Sequence, residues 1–298
     1  MNHINRFDGK GEIYAKARPK YANEFFDYWI DTLHIPTGSV FADIGSGTGI
    51  FTEQLLHCGY RVYAVEPNDD MRRKAEEKLS QNKNFISVNG NDHHMNLPDQ
   101  SIDFLTAAQA FHWFDPEQFQ KECRRVLKPG GKVFILYNSR DETADSVKAL
   151  SQLRYRYSPD FHGFSNGISN EACIAFFGGN CKIYRAKNDQ TYDRQAYLNR
   201  VLSSSYSLTE DDQRYPEYLK AIHNIFDAFS VDGFITEPVN TVAYMGEVSS
   251  FSQKGNRKRG WELLQNKGCL KSQLFKQPSL FSATPSNENP LFLITAPP

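Results

Sequence analysis

The chain has 298 residues, enough for one large domain or two small ones, and 40% hydrophobic residues support a sizeable core. A net charge of −1 argues against a nucleic-acid binder that works by neutralising phosphates. The five cysteines are scattered, odd in number and without a C-x-x-C pair, which reads as reduced thiols rather than a disulfide frame or a zinc site. The amino terminus lacks an apolar signal core, and no run is long enough to cross a membrane, so the expectation is a soluble cytoplasmic protein.

In chain order, a polar leader from Phe7 to Arg18 is followed by Pro19 and a helical pattern. Tyr21, Phe25, Phe26, Trp29, Ile30 and Leu33 give that helix an apolar face. Val40, Phe41, Ala42 and Ile44 read as a buried strand, Gly45, Gly47 and Gly49 as a loop, and Phe51, Leu55 and Leu56 as the next helix. Strand, glycine loop and helix make a nucleotide-binding turn, because backbone without side chains lets a ligand approach the open helix N-terminus. A dinucleotide fingerprint has its third glycine where Ile50 stands, so the spacing here is G-x-G-x-G with Asp43 before it. A second apolar run, Val62 to Val65, ends at Glu66, about 20 residues beyond the loop, where a ribose-binding carboxylate belongs.

Pro67-Asn68 opens a helix with Met71, Ala75 and Leu79 facing inward. Phe85 to Val88 predicts a third strand, followed by the loop Gly90-Asn91-Asp92-His93-His94. Adjacent histidines do not converge as helical metal ligands do, so no metal site is expected there. Phe104 to Ala107 predicts a fourth strand, and Gln109-Ala-Phe-His-Trp-Phe-Asp115 lies beyond its carboxyl end, where open α/β sheets bind ligands. Trp113 or Phe111 either packs in the core or offers an aromatic face to a cation. His112 either caps the next helix or takes a proton from an acceptor near neutral pH. Leu127-Lys-Pro-Gly-Gly131 ends a helix and leads to a fifth strand, Val133 to Tyr137.

From Asp141 helical segments dominate, with short strands at Cys181–Ala186 and Val239–Met245. The latter two read as an antiparallel pair closing the sheet. Residues of about 145–180 and 190–235 then form a helical cap. Arg154 and Arg156 read as a solvated helix face, whereas arginines turned to the mouth would suit a carboxylate-bearing acceptor. Residues 249–298 have no clean period and read as an irregular extension to a domain of residues 1–248.

Asp43-Ile-Gly-Ser-Gly-Thr-Gly49, with Glu66 ending the next strand, resembles the motifs of class I methyltransferases that use S-adenosylmethionine. Gln109-Ala-Phe-His-Trp-Phe114, the K-P-G-G run and Arg200-Val-Leu-Ser-Ser-Ser-Tyr206 are similar to the small-molecule branch that includes ubiquinone-biosynthesis and trans-aconitate methyltransferases. The resemblance implies an α/β, Rossmann-like seven-stranded sheet, mostly parallel with its last strand antiparallel, with helices on both faces and a helical cap. It implies S-adenosyl-L-methionine as cofactor and S-adenosyl-L-homocysteine as product. Asp43, Gly45, Ser46, Gly47, Thr48 and Gly49 would shape the methionyl pocket. Glu66 and Pro67 would hold the ribose, and Met71, Asp92 and His93 the adenine. Tyr14 and Arg18 would fold over the cofactor as a lid, Arg18 on its carboxylate. Gln109 would border the methyl-bearing sulfur, His112 would act as base, and Trp113, Arg200 and Tyr206 would meet a small-molecule acceptor bearing a carboxylate or hydroxyl. Neither a nucleic-acid nor a membrane partner is implied, and the protein would act as a monomer or homodimer. A non-catalytic binder of the cofactor and, less well, a NAD-dependent oxidoreductase are the alternatives.

Overall fold

The structure is a computed structural model that describes residues 19–161, 163–164, 170–204 and 206–248. The expected lid residues Tyr14 and Arg18, and the extension 249–298, lie outside the described residues.

The first helix, α1 (Asn23–Asp31), precedes an alternation of strands and helices: β1 (Val40–Ile44), α2 (Ile50–His57), β2 (Arg61–Val65), α3 (Asp69–Leu79), β3 (Phe85–Val88) and β4 (Ile102–Ala108). A 3-10 turn (Phe111–Trp113), α4 (Pro116–Val126) and β5 (Leu127–Arg140) follow. The remainder comprises α5 (Asp145–Tyr157), α6 (Asn170–Phe176), β6 (Lys182–Lys187), β7 (Gln190–Tyr192), α7 (Arg194–Leu202), α8 (Tyr215–Phe229), β8 (Ile235–Glu237) and β9 (Val239–Gly246). Seven strands form one sheet in the order β3-β2-β1-β4-β5-β9-β6. The first five are parallel, and β9 enters antiparallel between β5 and β6. The expected closing pair, Cys181–Ala186 with Val239–Met245, is therefore present as β6 and β9. A separate two-stranded sheet, β7 with β8, had no counterpart in the sequence reading.

Strand periodicity distributes the core. Val133 and Ile135 turn to one face with Phe119, Cys123 and Val126 of α4. Phe134 and Leu136 turn to the other with Trp29 of α1 and Leu55 of α2. With both faces covered, the central strands carry apolar side chains on both sides, interrupted by the buried Asp43 and Thr106, and so read as nearly continuous apolar runs. A third cluster joins Leu150 and Leu153 of α5, Tyr197 and Val201 of α7, and Tyr218 and Ile222 of α8. These three helices are the cap. The cap segment expected over 145–180 divides, because Cys173 and Phe176 of α6 pack into the sheet's own core.

The K-P-G-G run does more than stop α4. Leu127 pairs with Ile102 and Lys132 with Phe104, so residues 128–131 bulge out opposite Asp103. Gly130 has φ +77°, and a Cβ on Gly131 would stand 2.9 Å from the Lys128 carbonyl oxygen. Asp103 fixes the bulge: its carboxylate accepts from Lys128 Nζ at 2.8 Å and from the Val40 backbone N–H at 2.9 Å. Among the described residues no helix is long and apolar enough to cross a membrane.

Trp29 is the centre of the α1 face. It is fully buried, stacks on Phe41 with centroids 5.4 Å apart, and meets Phe25 at 4.6 Å and Phe134 at 4.4 Å. Trp29→Ala should lower the free energy of unfolding by about 3–5 kcal/mol, measured by urea denaturation. Trp29→Phe keeps an aromatic ring there and should lose much less. Equal losses for the two variants would mean that the aromatic stack is not what anchors α1.

Candidate active site

The loop between β1 and α2 turns left-handed three times, at Gly45 (φ +68°), Gly47 (φ +57°) and Gly49 (φ +77°). Each glycine has a different reason. A Cβ on Gly45 would lie 2.7 Å from the Ala110 side chain, so this glycine lets the loop after β4 come close. On Gly49 a Cβ would strike Leu79 at 2.7 Å, so that glycine lets α2 start against α3. Around Gly47 nothing lies within 4 Å of the added carbon, and Gly47 borders a cavity of about 420 Å³. The helix α2 begins at Gly49 with no side-chain cap, in contrast to α3 and α4, which Asn68 and Asp115 cap. The Thr52 N–H in its first turn donates to Asp43, and the N–H groups ahead of it would be available to a ligand.

Glu66, at the carboxyl end of β2, forms the next part of the wall. Its Oε2 accepts from the Gly47 N–H and its Oε1 from the Asn68 N–H, both at 2.8 Å. Asn68 in turn accepts from the Met71 N–H at 2.9 Å, which starts α3 and sets Met71 on the wall. Burial pushes the Glu66 carboxyl up from its ordinary value, against the pull of those two N–H groups. Asp43, at the end of β1, is buried and accepts from Thr52 Oγ1 at 2.7 Å and Thr106 Oγ1 at 2.8 Å. Burial raises it from 3.8 to about 6 in spite of both hydroxyls.

Asp92 and His93 join the wall from the loop after β3, with Asp92 Oδ2 accepting the Asp115 N–H at 2.9 Å. That bond ties the β3 loop to the start of α4. Gln109 follows β4 in the left-handed region, φ +56°, uncommon for a residue with a long side chain. Its N–H donates to the Leu136 carbonyl at 2.8 Å, and its Nε2 to the Asn138 carbonyl at 3.1 Å. Ser46, Thr48, Pro67, Trp113 and Arg200 also border the cavity.

Three expected residues do not line it. Gly49 packs against Ala75 and Leu79 instead. His112, the expected base, lies within the 3-10 turn with its ring near Trp113 (4.7 Å) and Tyr137 (6.2 Å) and does not border the cavity. Tyr206 borders only a smaller neighbouring cavity. The solvated face expected for Arg154 is also corrected: it is 3% exposed and hydrogen-bonded inside the cap. The sequence reading missed two wall residues at the end of β5, Asn138 and Arg140. Asn138 accepts from Thr241 Oγ1 at 2.7 Å and donates to the Lys20 carbonyl at 3.1 Å, linking β5 and β9 to the approach of α1. The signal for both was their place at the carboxyl end of a central strand.

A profile described as a methyltransferase domain matches residues 42–135. An uncharacterized methyltransferase of Geobacillus thermodenitrificans is 30% identical over 177 residues, 56% of this chain and 80% of that protein. A methyltransferase-like protein of Schizosaccharomyces pombe is 33% identical over 152 residues, 51% of this chain and 58% of the relative. An uncharacterized methyltransferase of Mycobacterium tuberculosis is 33% identical over 140 residues, 47% and 55% respectively. The chain therefore spans a little over half the length of these last two. Among solved structures, a candidate type II methyltransferase from Anaeromyxobacter dehalogenans shares the fold at TM-score 0.59 and 19% identity, covering 78% of this chain and 99% of that one.

The folded state holds the Asp43 proton more tightly than the unfolded chain does. Its contribution to stability is complete below about pH 4 and is lost as pH rises through about 6. That loss is about 3 kcal/mol. Asp43→Asn should remove it, flattening unfolding free energy against pH in urea titrations between pH 4 and about 6. An unchanged slope would mean that Asp43 titrates as an ordinary carboxylate.

Proposed function

The chain belongs to the class I S-adenosylmethionine-dependent methyltransferase family, and on that premise we propose that it moves a methyl group from this cofactor to a small-molecule acceptor bearing a carboxylate or hydroxyl. The observation that carries the reading is the join between Gly47 and Glu66. The loop has open space rather than a side chain at Gly47, where it borders the cavity, and the carboxylate beside it is held by backbone N–H groups on both oxygens. Each carboxylate oxygen has lone-pair capacity beyond the one bond it accepts, so Glu66 can still receive the two hydroxyls of a ribose.

The cofactor supplies an electrophilic methyl on a sulfonium centre. The chain's residues do the rest. Gly45, Gly47 and the opening of α2 would accommodate the amino-acid tail, with Asp43 buried beneath as the brace of the loop through Thr52 and Thr106. Met71 and the loop holding Asp92 and His93 would flank the base. Trp113 and Phe114 place aromatic surface on the same wall, which favours a nearby cation. Because the methyl is already reactive, the protein's work is to align the acceptor atom and keep water out. That work needs no fixed general base when the acceptor is an ionised carboxylate, which accords with His112 standing off the wall.

Calorimetry with S-adenosylhomocysteine should give binding to the wild-type protein, and none with NAD. Glu66→Ala should weaken S-adenosylhomocysteine binding by about 2 kcal/mol, or about 30-fold. Tight NAD binding in place of S-adenosylhomocysteine would overturn the reading, and an unchanged dissociation constant would take Glu66 out of the site.

A further inference from the structure

The cap side of the site is built from arginines. Arg140 ends β5, Arg154 lies in α5 and Arg200 in α7, and all three border a second cavity of about 70 Å³. This cavity shares Arg140, Phe164 and Arg200 with the larger one, so the two adjoin, but none of the glycine loop reaches it.

One carboxylate faces these cations among the described residues. Glu237 of β8 accepts from Arg140 Nε at 2.6 Å, and its other oxygen stands 3.7 Å from Arg200. Arg154 has no carboxylate within 4 Å among the described residues. Its guanidinium donates to Ser207 Oγ at 2.9 Å and to the Val201 carbonyl at 2.7 Å. Those two acceptors are neutral, and the carboxylate that Arg154 feels is Glu237, beyond ion-pair distance and already shared with Arg140 and Arg200. Tyr192 and Tyr197 belong to the same group, but burial raises both phenols, so they carry no negative charge at neutral pH. Burial lowers Arg154 to about 10, which leaves it charged at neutral pH.

Among the described residues, three guanidiniums share one carboxylate, an excess of two positive charges. Arg154 is 3% exposed, Glu237 4% and Arg200 8%, so water screens them poorly. A buried charge without a counter-ion is costly, and a fold keeps several such charges together where another anion balances them. A planar guanidinium also suits the two oxygens of a carboxylate or phosphate.

We infer that the acceptor is an anion, a small molecule with a carboxylate or phosphate group that enters the arginine cavity while its reacting group lies in the larger cavity beside Trp113. This rests on the methyl-transfer reading above. The cofactor's own carboxylate is a poor occupant of the same seat. It belongs with the glycine loop, whereas Arg154 borders only the smaller cavity. Glu237 is then a positioning residue, holding Arg140 and Arg200 in place.

The test is calorimetry on the S-adenosylhomocysteine-loaded protein, titrated at fixed ionic strength with succinate, inorganic phosphate and neutral succinamide. Succinate or phosphate should bind and succinamide should not, and the tighter of the two anions identifies the group. Arg154→Met should weaken that anion at least tenfold while S-adenosylhomocysteine affinity stays within twofold. Arg154→Lys, which keeps the charge without the planar fork, should fall between the two. Thermal unfolding checks that each variant is folded, and Arg154→Lys carries the test if Arg154→Met is not. Absence of binding by both anions, equal binding of succinamide, or unchanged anion affinity in the variants would overturn the inference. If S-adenosylhomocysteine itself does not bind, the methyl-transfer reading fails, and the same titration on the unloaded protein then decides the arginine seat alone.

Discussion

One carboxylate holds the site together. Glu66 sits where β2 ends and takes one backbone N–H from the loop after β1 and another from the residue that caps α3. Hydrogen bonds to a charged group are worth roughly 1.5–3 kcal/mol each, so the two together offset part of the cost of placing the acid away from water, though burial still raises its carboxyl. The parallel register of β1 with β2 brings Gly45 and Ser46 under the Val65 carbonyl, which accepts from their N–H groups at 2.8 and 3.2 Å. That register sets the distance at which the Gly47 N–H can meet Glu66. Without left-handed backbone at Gly47 the N–H would turn elsewhere, and the loop, the acid and Met71 would lose their common reference.

The larger cavity is polar in opposite senses on its two sides. Asp43, Glu66 and Asp92 come from the ends or following loops of β1, β2 and β3, on one half of the sheet. Arg140 comes from the end of β5, across β4, and Arg200 from the cap above. Strand order therefore separates acids from bases before any ligand arrives. A cationic donor and an anionic acceptor would be drawn to different halves, with the Gln109–Trp113 segment after β4 between them. Gln109 is the residue held in an uncommon backbone conformation at that midpoint, locked by the carbonyls of Leu136 and Asn138.

The parallel half of the fold was legible because its strands are buried on both faces and its loops carry glycines whose spacing has a mechanical reason. Gly47 and Glu66 could be paired from the sequence alone, since strand and helix lengths between them are nearly fixed. The cap was harder. Its helices were visible as periodic patterns, but not which of them would return to the sheet, and α6 does so through Cys173 and Phe176. Arg154 was misread because arginine is usually solvated. Yet it lies four residues after Leu150 and three before Tyr157, in phase with the buried stripe of α5. Glu237 and Arg140 meet over 97 residues of separation, and no local pattern announces such a pair. In the 3-10 turn Phe111–Trp113, Trp113 borders the cavity while the neighbouring His112 does not, a difference that residue type and segment alone do not foretell.

The position of β9 bears on how this molecule is made. It is the last strand of the described chain to emerge from a ribosome, yet it belongs inside the sheet, between β5 and β6. Until Val239–Gly246 is synthesised, β5 presents an open edge whose Phe134, Ile135 and Leu136 are fully buried in the finished molecule. β6 meanwhile has no neighbour in that sheet to join. The nascent chain must therefore carry an unpaired, apolar edge through the synthesis of roughly a hundred residues. The sheet is closed by a single late insertion, after every helix of the cap has been made.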